Sequence, residues 1–220
     1  MKEVVLDTET TGFSVAEGHR IVEIGCIELE DLIPTNNKFH CYLNPERKVS
    51  EKAFQVHGYS DKFLSNQKKF IEIEEEFLEF IKDKRIIIHN AEFDLGHLNN
   101  ELSLIGKKKI KNEIIDTVLL ARNKYPGSPA SLDALCKRYR IDNSRRTQHT
   151  ALIDCDLLAK VYINLIDQKE PTLNFYSDEV KISQNKNIST NYFKKVVTPT
   201  TDELKKHKEY LKNNLKRNFF

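Results

Sequence analysis

The sequence predicts an α/β domain with a mixed sheet of about five strands and helices on both faces, followed by a tail of different character. Three observations carry that prediction. Three apolar or alternating stretches come first and are joined by short links. Strand and helix patterns then alternate, and beyond Asp167 the apolar residues thin out. Short links between consecutive strands favour an antiparallel three-strand meander. The later alternation adds two parallel strands, with helices to cover the sheet.

The elements follow in order. The run Val4-Val5-Leu6 marks a first strand over 3–8, and 20–30 alternate well enough for a second. Residues 12–19, with Gly12 and Gly18, link the two. A turn near Pro34-Thr35-Asn36 leads into a third strand over 37–43, which Asn44-Pro45 ends. Residues 50–65 hold short helical pieces around Ala53 to Gly58. Phe70, Ile73, Phe77 and Ile81 recur at helical spacing and predict an amphipathic helix over about 67–83.

Ile86-Ile87-Ile88, running into His89, reads as a strand buried on both faces. A helix follows, with Leu98, Leu102 and Ile105 inward and Gly106 as its stop. Residues 113–116 are a further short strand, followed by a helix over 117–124 and a stop at Pro126-Gly127. Ser131 can cap the helix carrying Leu132, Leu135 and Tyr139. The last helix of the body spans 150–166, with Ala151, Leu158, Tyr162 and Leu165 inward. Residues 168–203 are rich in Lys, Asn, Ser and Thr and read as a flexible linker. A short helix over 201–216, capped by Thr201 or Asp202, has too few apolar residues to stand alone. The expected domains are therefore 1–167 and 168–220.

Composition excludes several classes. Hydrophobic residues are 39% and charged residues 31%, as in a globular chain. No apolar run approaches the roughly 20 residues needed to span a bilayer, and the N-terminus lacks the regions of a signal peptide. A cytoplasmic protein with no membrane partner is expected. Cys26, Cys41, Cys136 and Cys155 form no CxxC pair, which argues against a zinc site and a disulfide framework. The formal charge of +2 is uneven, because residues 181–220 carry a surplus of seven positive charges and the rest a surplus of five negative ones. Such a body would not grip a long duplex by counterion release. It could hold a few nucleotides if cations neutralise the phosphates.

The chemistry collects around four carboxylates. Asp7 and Glu9 sit two apart on the first strand and so project to one side. Two like charges on one face repel unless a cation lies between them, and oxygen ligands suit a hard divalent cation such as Mg²⁺ or Mn²⁺. Asp94 lies just past a buried strand and Asp154 lies on the last helix. His149 precedes Asp154 by five residues, about 500° of helical turn, so it belongs on the loop before the helix. Together these residues could form a two-metal phosphodiesterase centre, with His149 taking a proton from the attacking water.

Asp7-Thr8-Glu9-Thr10-Thr11-Gly12, Asn90-Ala91-Glu92-Phe93-Asp94 and His149-x-Ala151-x-x-Asp154 resemble, in order and spacing, the three motifs of the DEDDh (DnaQ-like) 3′–5′ exonucleases. The resemblance covers residues 3–167. It implies a ribonuclease-H-like fold, Asp7, Glu9, Asp94 and Asp154 as metal ligands, two divalent cations, and His149 as general base. Within that family the chain most resembles the epsilon-type proofreading subunits of bacterial replicative polymerases. By that likeness Val56 and His57 line the pocket of the terminal nucleotide, beside Asp7, Glu9 and Asp154. Read without it, Val56 is core packing and His57 a turn hydrogen bond. Lys52 stands where related subunits often carry an acid.

The same likeness extends to the tail. Glu170-Pro171-Thr172-Leu173-Asn174-Phe175 is similar to a peptide that touches the sliding clamp, with Leu173 and Phe175 as anchors and Glu170 in place of the usual Gln. Residues 196–211 resemble the segment that folds against the polymerase catalytic subunit. The expected substrate is a single-stranded or frayed, mispaired 3′ end of DNA. Two alternatives remain open on the sequence: a free-standing exonuclease trimming RNA or short oligonucleotides, and a subunit that tethers polymerase to clamp.

Overall fold

The computed structural model describes residues 2–146, 148–166 and 198–214. They fall into two separate units, 2–166 and 198–214. The expected boundary at 167/168 lies outside the described residues, as do Leu173 and Phe175.

The larger unit is built on five strands: β1 (Lys2–Thr10), β2 (Ile21–Glu30), β3 (Ile33–Tyr42), β4 (Arg85–Ile88) and β5 (Ile114–Asp116). Their order across the sheet is β3-β2-β1-β4-β5. The first three pair antiparallel, while β4 lies parallel to β1 and β5 parallel to β4. Seven helices accompany them: α1 (Glu51–His57), α2 (Asp61–Leu64), α3 (Glu74–Ile81), α4 (Ala91–Leu104), α5 (Thr117–Lys124), α6 (Leu132–Tyr139) and α7 (Ala151–Leu165).

Alternation along the strands creates two cores. Val4, Leu6, Ile24, Cys26, Ile86 and Ile88 face α3 and α4, where Phe77, Leu98 and Leu102 cover them. Val5, Ile27, Leu29 and Ile87 face the other way, under Leu135, Leu158, Val161 and Tyr162 of α6 and α7. The first strand is thus buried on both sides, and its position at the centre of the sheet fixes where its carboxylates emerge.

Three element boundaries differ from expectation. The first strand runs on to Thr10, so Asp7 and Glu9 lie within it; a register shift between Glu9 and Thr10 marks where pairing with β2 breaks step. The third strand begins at Ile33, not 37. The turn is the two-residue link Asp31-Leu32, with φ of 49° and 67°, the left-handed pair that matches hairpin twist. Pro34 is inside the strand, opposite Leu29, and is tolerated because β3 is an edge strand. The helix expected over 67–83 is a 3-10 turn, Phe70–Glu72, followed by α3 from Glu74. Phe70, Ile73, Phe77 and Ile81 are nonetheless all buried, because the 3-10 turn and the helix present the same stripe.

The second unit is α8 (Thr201–Asn214). Its N-terminus is held by Thr200, not Thr201 or Asp202. The Glu203 carboxylate accepts from the Thr200 N–H at 2.8 Å, and the Thr200 hydroxyl accepts from the Glu203 N–H at 3.4 Å. Leu204 and Tyr210 are exposed on it. Among the described residues no helix is long and apolar enough to cross a membrane.

Helix α7 packs so tightly on β2 that a Cβ at Gly25 would lie 2.6 Å from the Ala151 carbonyl carbon and 2.8 Å from the Leu152 nitrogen. Backbone cannot yield there as a flexible side chain would. Gly25→Ala is therefore expected to lower stability by about 1–3 kcal/mol, read from urea unfolding. A midpoint equal to wild type would show that the helix can lift without cost.

Candidate functional site

The site forms where β1 passes between α4 and α7. Asp7 and Glu9 face α7, while Thr8 between them faces α4. Asp94, on the first turn of α4, is 3% exposed. Its Oδ1 accepts from both the Thr8 N–H (3.0 Å) and the Thr8 hydroxyl (2.7 Å). The start of α4 is itself fixed by Asp116, whose carboxylate accepts from the Asn90 and Ala91 N–H groups at 3.2 and 3.1 Å and from Val118 N–H at 2.8 Å. One carboxylate at the end of β5 thus caps two helices, and Asn90 takes the left-handed conformation (φ 69°) that this entry requires.

Asp154 enters from the first turn of α7 and is also 3% exposed. His149 lies before the helix, as its spacing predicts, and its N–H donates to the Val56 carbonyl at 3.1 Å. Glu9, His149 and Asp154 each offer a ligand atom, and these atoms lie within 4.8 Å of one another. Asp7 and Asp94 adjoin the group, since the charges of Asp94, Glu9 and Asp154 act on Asp7 and that of Asp94 acts on Glu9.

The electrostatics record the crowding. Burial first, then the charges of Asp94, Glu9 and Asp154, push the Asp7 carboxyl well above the usual carboxylate range. Burial and the charges of Asp154, Glu23 and Asp94 push Glu9 up to about 8. Burial raises Asp94 to about 7, although the Thr8 hydrogen bonds favour its ionised form. Asp154 behaves oppositely. Burial pushes it up, but His149 and the hydrogen-bonded Arg146 beside it outweigh that and hold it below its ordinary value.

Beside the carboxylates opens a cavity of about 510 Å³ whose walls include Glu9, Phe13, Lys52, Val56, His57 and Phe93. Val56 is 43% exposed, so it is not core packing. His57 is buried and its Nδ1 accepts from the Tyr59 N–H at 3.0 Å. That bond leaves the ring hydrogen on Nε2. Phe13 is 81% exposed and lies against Phe93, with ring centroids 5.4 Å apart. The His97 Nε2–H donates to the Phe13 carbonyl at 3.1 Å and holds that loop. Gly12 admits no side chain, because a Cβ there would lie 2.3 Å from the His19 ring.

Beneath the site sits a group that sequence reasoning missed. Glu23, opposite Glu9 in the sheet register, is wholly buried. Its Oε2 accepts from the Ala151 N–H (2.9 Å) and the Tyr59 hydroxyl (2.8 Å), and its Oε1 meets His40 Nε2 at 2.7 Å. It therefore pins the first turn of α7, which carries Asp154, and also Tyr59, whose ring stacks on His57 at 4.8 Å. Phe13 and Arg146 were missed as well. The signals available were an aromatic directly after Gly12 and a basic pair, Arg145-Arg146, close to His149.

The raised carboxyls have a thermodynamic consequence. Glu9 binds its proton more tightly folded than unfolded, so folding loses stability as pH rises from its ordinary 4.5 through about 8. With chelator present, the melting temperature is expected to fall across that window, and Glu9→Gln is expected to flatten the fall. Calorimetric scans at stepped pH check this; an equally steep Glu9→Gln profile would place the titrating group elsewhere.

Comparison with known proteins agrees with this geometry. The chain matches the family described as Exonuclease (RNase_T) over residues 4–162. It is 44% identical over 227 residues to a Rickettsia felis protein named DNA polymerase III subunit epsilon, with 98% of each chain covered. Exonuclease X, solved in complex with 5′ overhanging duplex DNA, matches with a TM-score of 0.60 at 25% identity, over 76% of this chain and 92% of that one. The nuclease domain of 3′hExo, a DEDDh family member bound to rAMP, shares the fold with a TM-score of 0.67 at 17% identity, over the same shares of the two chains. Likeness to a polymerase subunit along nearly the whole chain leaves the free-standing enzyme and the bare tether without support. The chain belongs to the Exonuclease family, whose DEDDh 3′–5′ exonucleases work with divalent metal ions, and within it to the DNA polymerase III epsilon subunits that proofread replication.

Proposed function

We propose that Asp7, Glu9, Asp94 and Asp154 hold two divalent cations, Mg²⁺ or Mn²⁺, and that the cavity beside them receives the terminal nucleotide of a frayed DNA 3′ end. The observation that carries this reading is the convergence of Glu9, His149 and Asp154 at the edge of a cavity with apolar and aromatic walls. The donor set fits the ions. All four carboxylates are hard oxygen ligands, and the burial that raises Asp7, Glu9 and Asp94, to which neighbouring acids add at Asp7 and Glu9, is offset by positive charge placed among them. Bound cations supply Lewis-acid polarisation of the scissile phosphate and a lowered pKa for the attacking water.

The chain's own groups do the rest. His149 receives the proton of the water at Nε2, with Nδ1 turned toward Asp154 Oδ2 at 3.3 Å. Its ring is 42% exposed, so the proton can pass on to solvent. Phe13 and Phe93 offer ring surfaces for the terminal base, which stacks without regard to its identity. Val56 closes the wall, and the buried His57 ring backs it. A mispaired end separates more readily from its template than a paired one, and this supplies selectivity without reading the base.

The tail completes the proposal. Residues 168–220, including α8, bind the polymerase catalytic subunit, and Leu173 and Phe175 touch the sliding clamp. The exposed Leu204 of α8 supports a helix that buries apolar surface against a partner.

Release of 5′-mononucleotides from a 3′-mismatched primer with Mg²⁺ tests the chemistry. Asp7→Ala is expected to abolish release, and His149→Ala to slow it by about 10²–10⁴-fold. Full activity in either variant would overturn the assignment. Phe13→Ala is expected to raise KM about tenfold with kcat little changed, as the loss of one stacked base predicts. An unchanged KM would remove Phe13 from the nucleotide site.

A further inference from the structure

Arg146 stands in the middle of the site without a part in the chemistry above. Its side chain is 8% exposed. Nε donates to Asp154 Oδ1 at 2.6 Å and Nη2 to Asp154 Oδ2 at 2.7 Å, a two-pronged clamp that uses both carboxylate oxygens. The same Nη2 meets His149 Nδ1 at 2.8 Å. Nη1 reaches Asp133 Oδ1, also at 2.8 Å, near the start of α6.

We infer that Arg146 gates the cation site, its guanidinium competing with a divalent cation for Asp154 and holding His149 in a form that cannot act as base. The inference rests on the metal reading given above.

Two arguments converge. The first concerns Asp154. A cation that uses this carboxylate must share an oxygen with the guanidinium, and a positive ion at that distance repels the arginine. The clamp and the bound cation therefore oppose one another. The second concerns the histidine. A guanidinium has no acceptor, so the bond to His149 Nδ1 makes that nitrogen the acceptor and puts the ring hydrogen of the neutral imidazole on Nε2. The nitrogen that would take the proton from water is then already occupied. When Arg146 leaves, Nδ1 can carry the hydrogen and donate to Asp154 Oδ2, 3.3 Å away, and the Nε2 lone pair is freed. One movement thus opens the ligand and sets the base.

The surroundings allow that movement. Arg146 also borders a hollow of about 530 Å³, where Asp142, Asn143 and Asp156 stand among the cations Lys38, Arg145 and Lys160. The Asp133 bond is at an exposed carboxylate, so it can pivot with the side chain. Asp133 in turn accepts from Asn143 Nδ2 at 3.0 Å, which anchors the loop while the guanidinium turns.

The test is calorimetric titration of the full-length protein with Mn²⁺, without DNA. Arg146→Gln is expected to bind Mn²⁺ about tenfold more tightly than wild type, the scale of one charge-assisted pair removed from competition. Arg146→Lys, which keeps the charge but not the fork, is expected to fall between them. A second readout is the nitrogen NMR of the His149 ring. The hydrogen is expected on Nε2 in chelator and on Nδ1 in excess Mg²⁺, with Arg146→Gln showing no such change. Equal or weaker Mn²⁺ binding by Arg146→Gln, or a His149 tautomer indifferent to Mg²⁺ in wild type, overturns the gate and leaves the metal reading standing. Failure of wild type and variant alike to bind Mn²⁺ overturns the metal reading, and the gate with it.

Discussion

Mutual repulsion among buried carboxylates is the constraint on which this molecule is organised. Asp7, Glu9, Asp94 and Asp154 meet at one end of a strand that is covered on both faces, and a fifth acid, Glu23, lies directly behind Glu9. Left to itself such a cluster would splay into water. It is held because each acid belongs to a different rigid part: two to the centre of the sheet, one to α4 and one to α7. The apolar packing that fixes those parts also buries the acids. That burial is the first cause that pushes three of the four upward, and the charges of neighbouring acids add to it at Asp7 and Glu9.

The groups around the acids show how precision is added to that scaffold. Thr8 uses both its N–H and its hydroxyl on Asp94. Asp116 supplies N-terminal acceptors to two helices at once. Glu23 takes hydrogen bonds from the first turn of α7 and from Tyr59, next to the cavity. None of these three need touch substrate. Each converts a few tenths of an ångström of freedom in a neighbouring element into a fixed position for a functional side chain.

Much of this was legible in the sequence, for identifiable reasons. The mixed five-stranded sheet and the two-faced core follow from local patterning: Val4 to Leu6 and Ile86 to Ile88 are apolar on successive residues, as a doubly covered strand requires. The position of His149 before α7 follows from its spacing to Asp154. What was not legible depends on tertiary pairing. The hairpin at Asp31-Leu32 lacks the Asn-Gly or Asp-Gly signal, and Pro34 diverted the turn because proline more often marks a turn than an edge strand. Phe70 to Ile81 kept helical spacing across a 3-10 turn, since side chains there can share a stripe with the following helix. The part of Glu23 was invisible because glutamate usually faces solvent, and Arg146 left only the faint signal of a basic pair near His149; the folded neighbours show what each does.

A hydrogen bond from His149 N–H to the Val56 carbonyl joins the wall of the cavity to the segment that bears His149. On the proposed reading, recognition and chemistry share that piece of backbone. A terminal nucleotide pressing on Val56 would then displace the anchor of His149 by the same motion, and a strand end that fails to fill the cavity would leave that anchor unloaded. Fidelity, so read, is a mechanical property of one peptide group, sensed as fit on one side and expressed as the aim of an imidazole on the other.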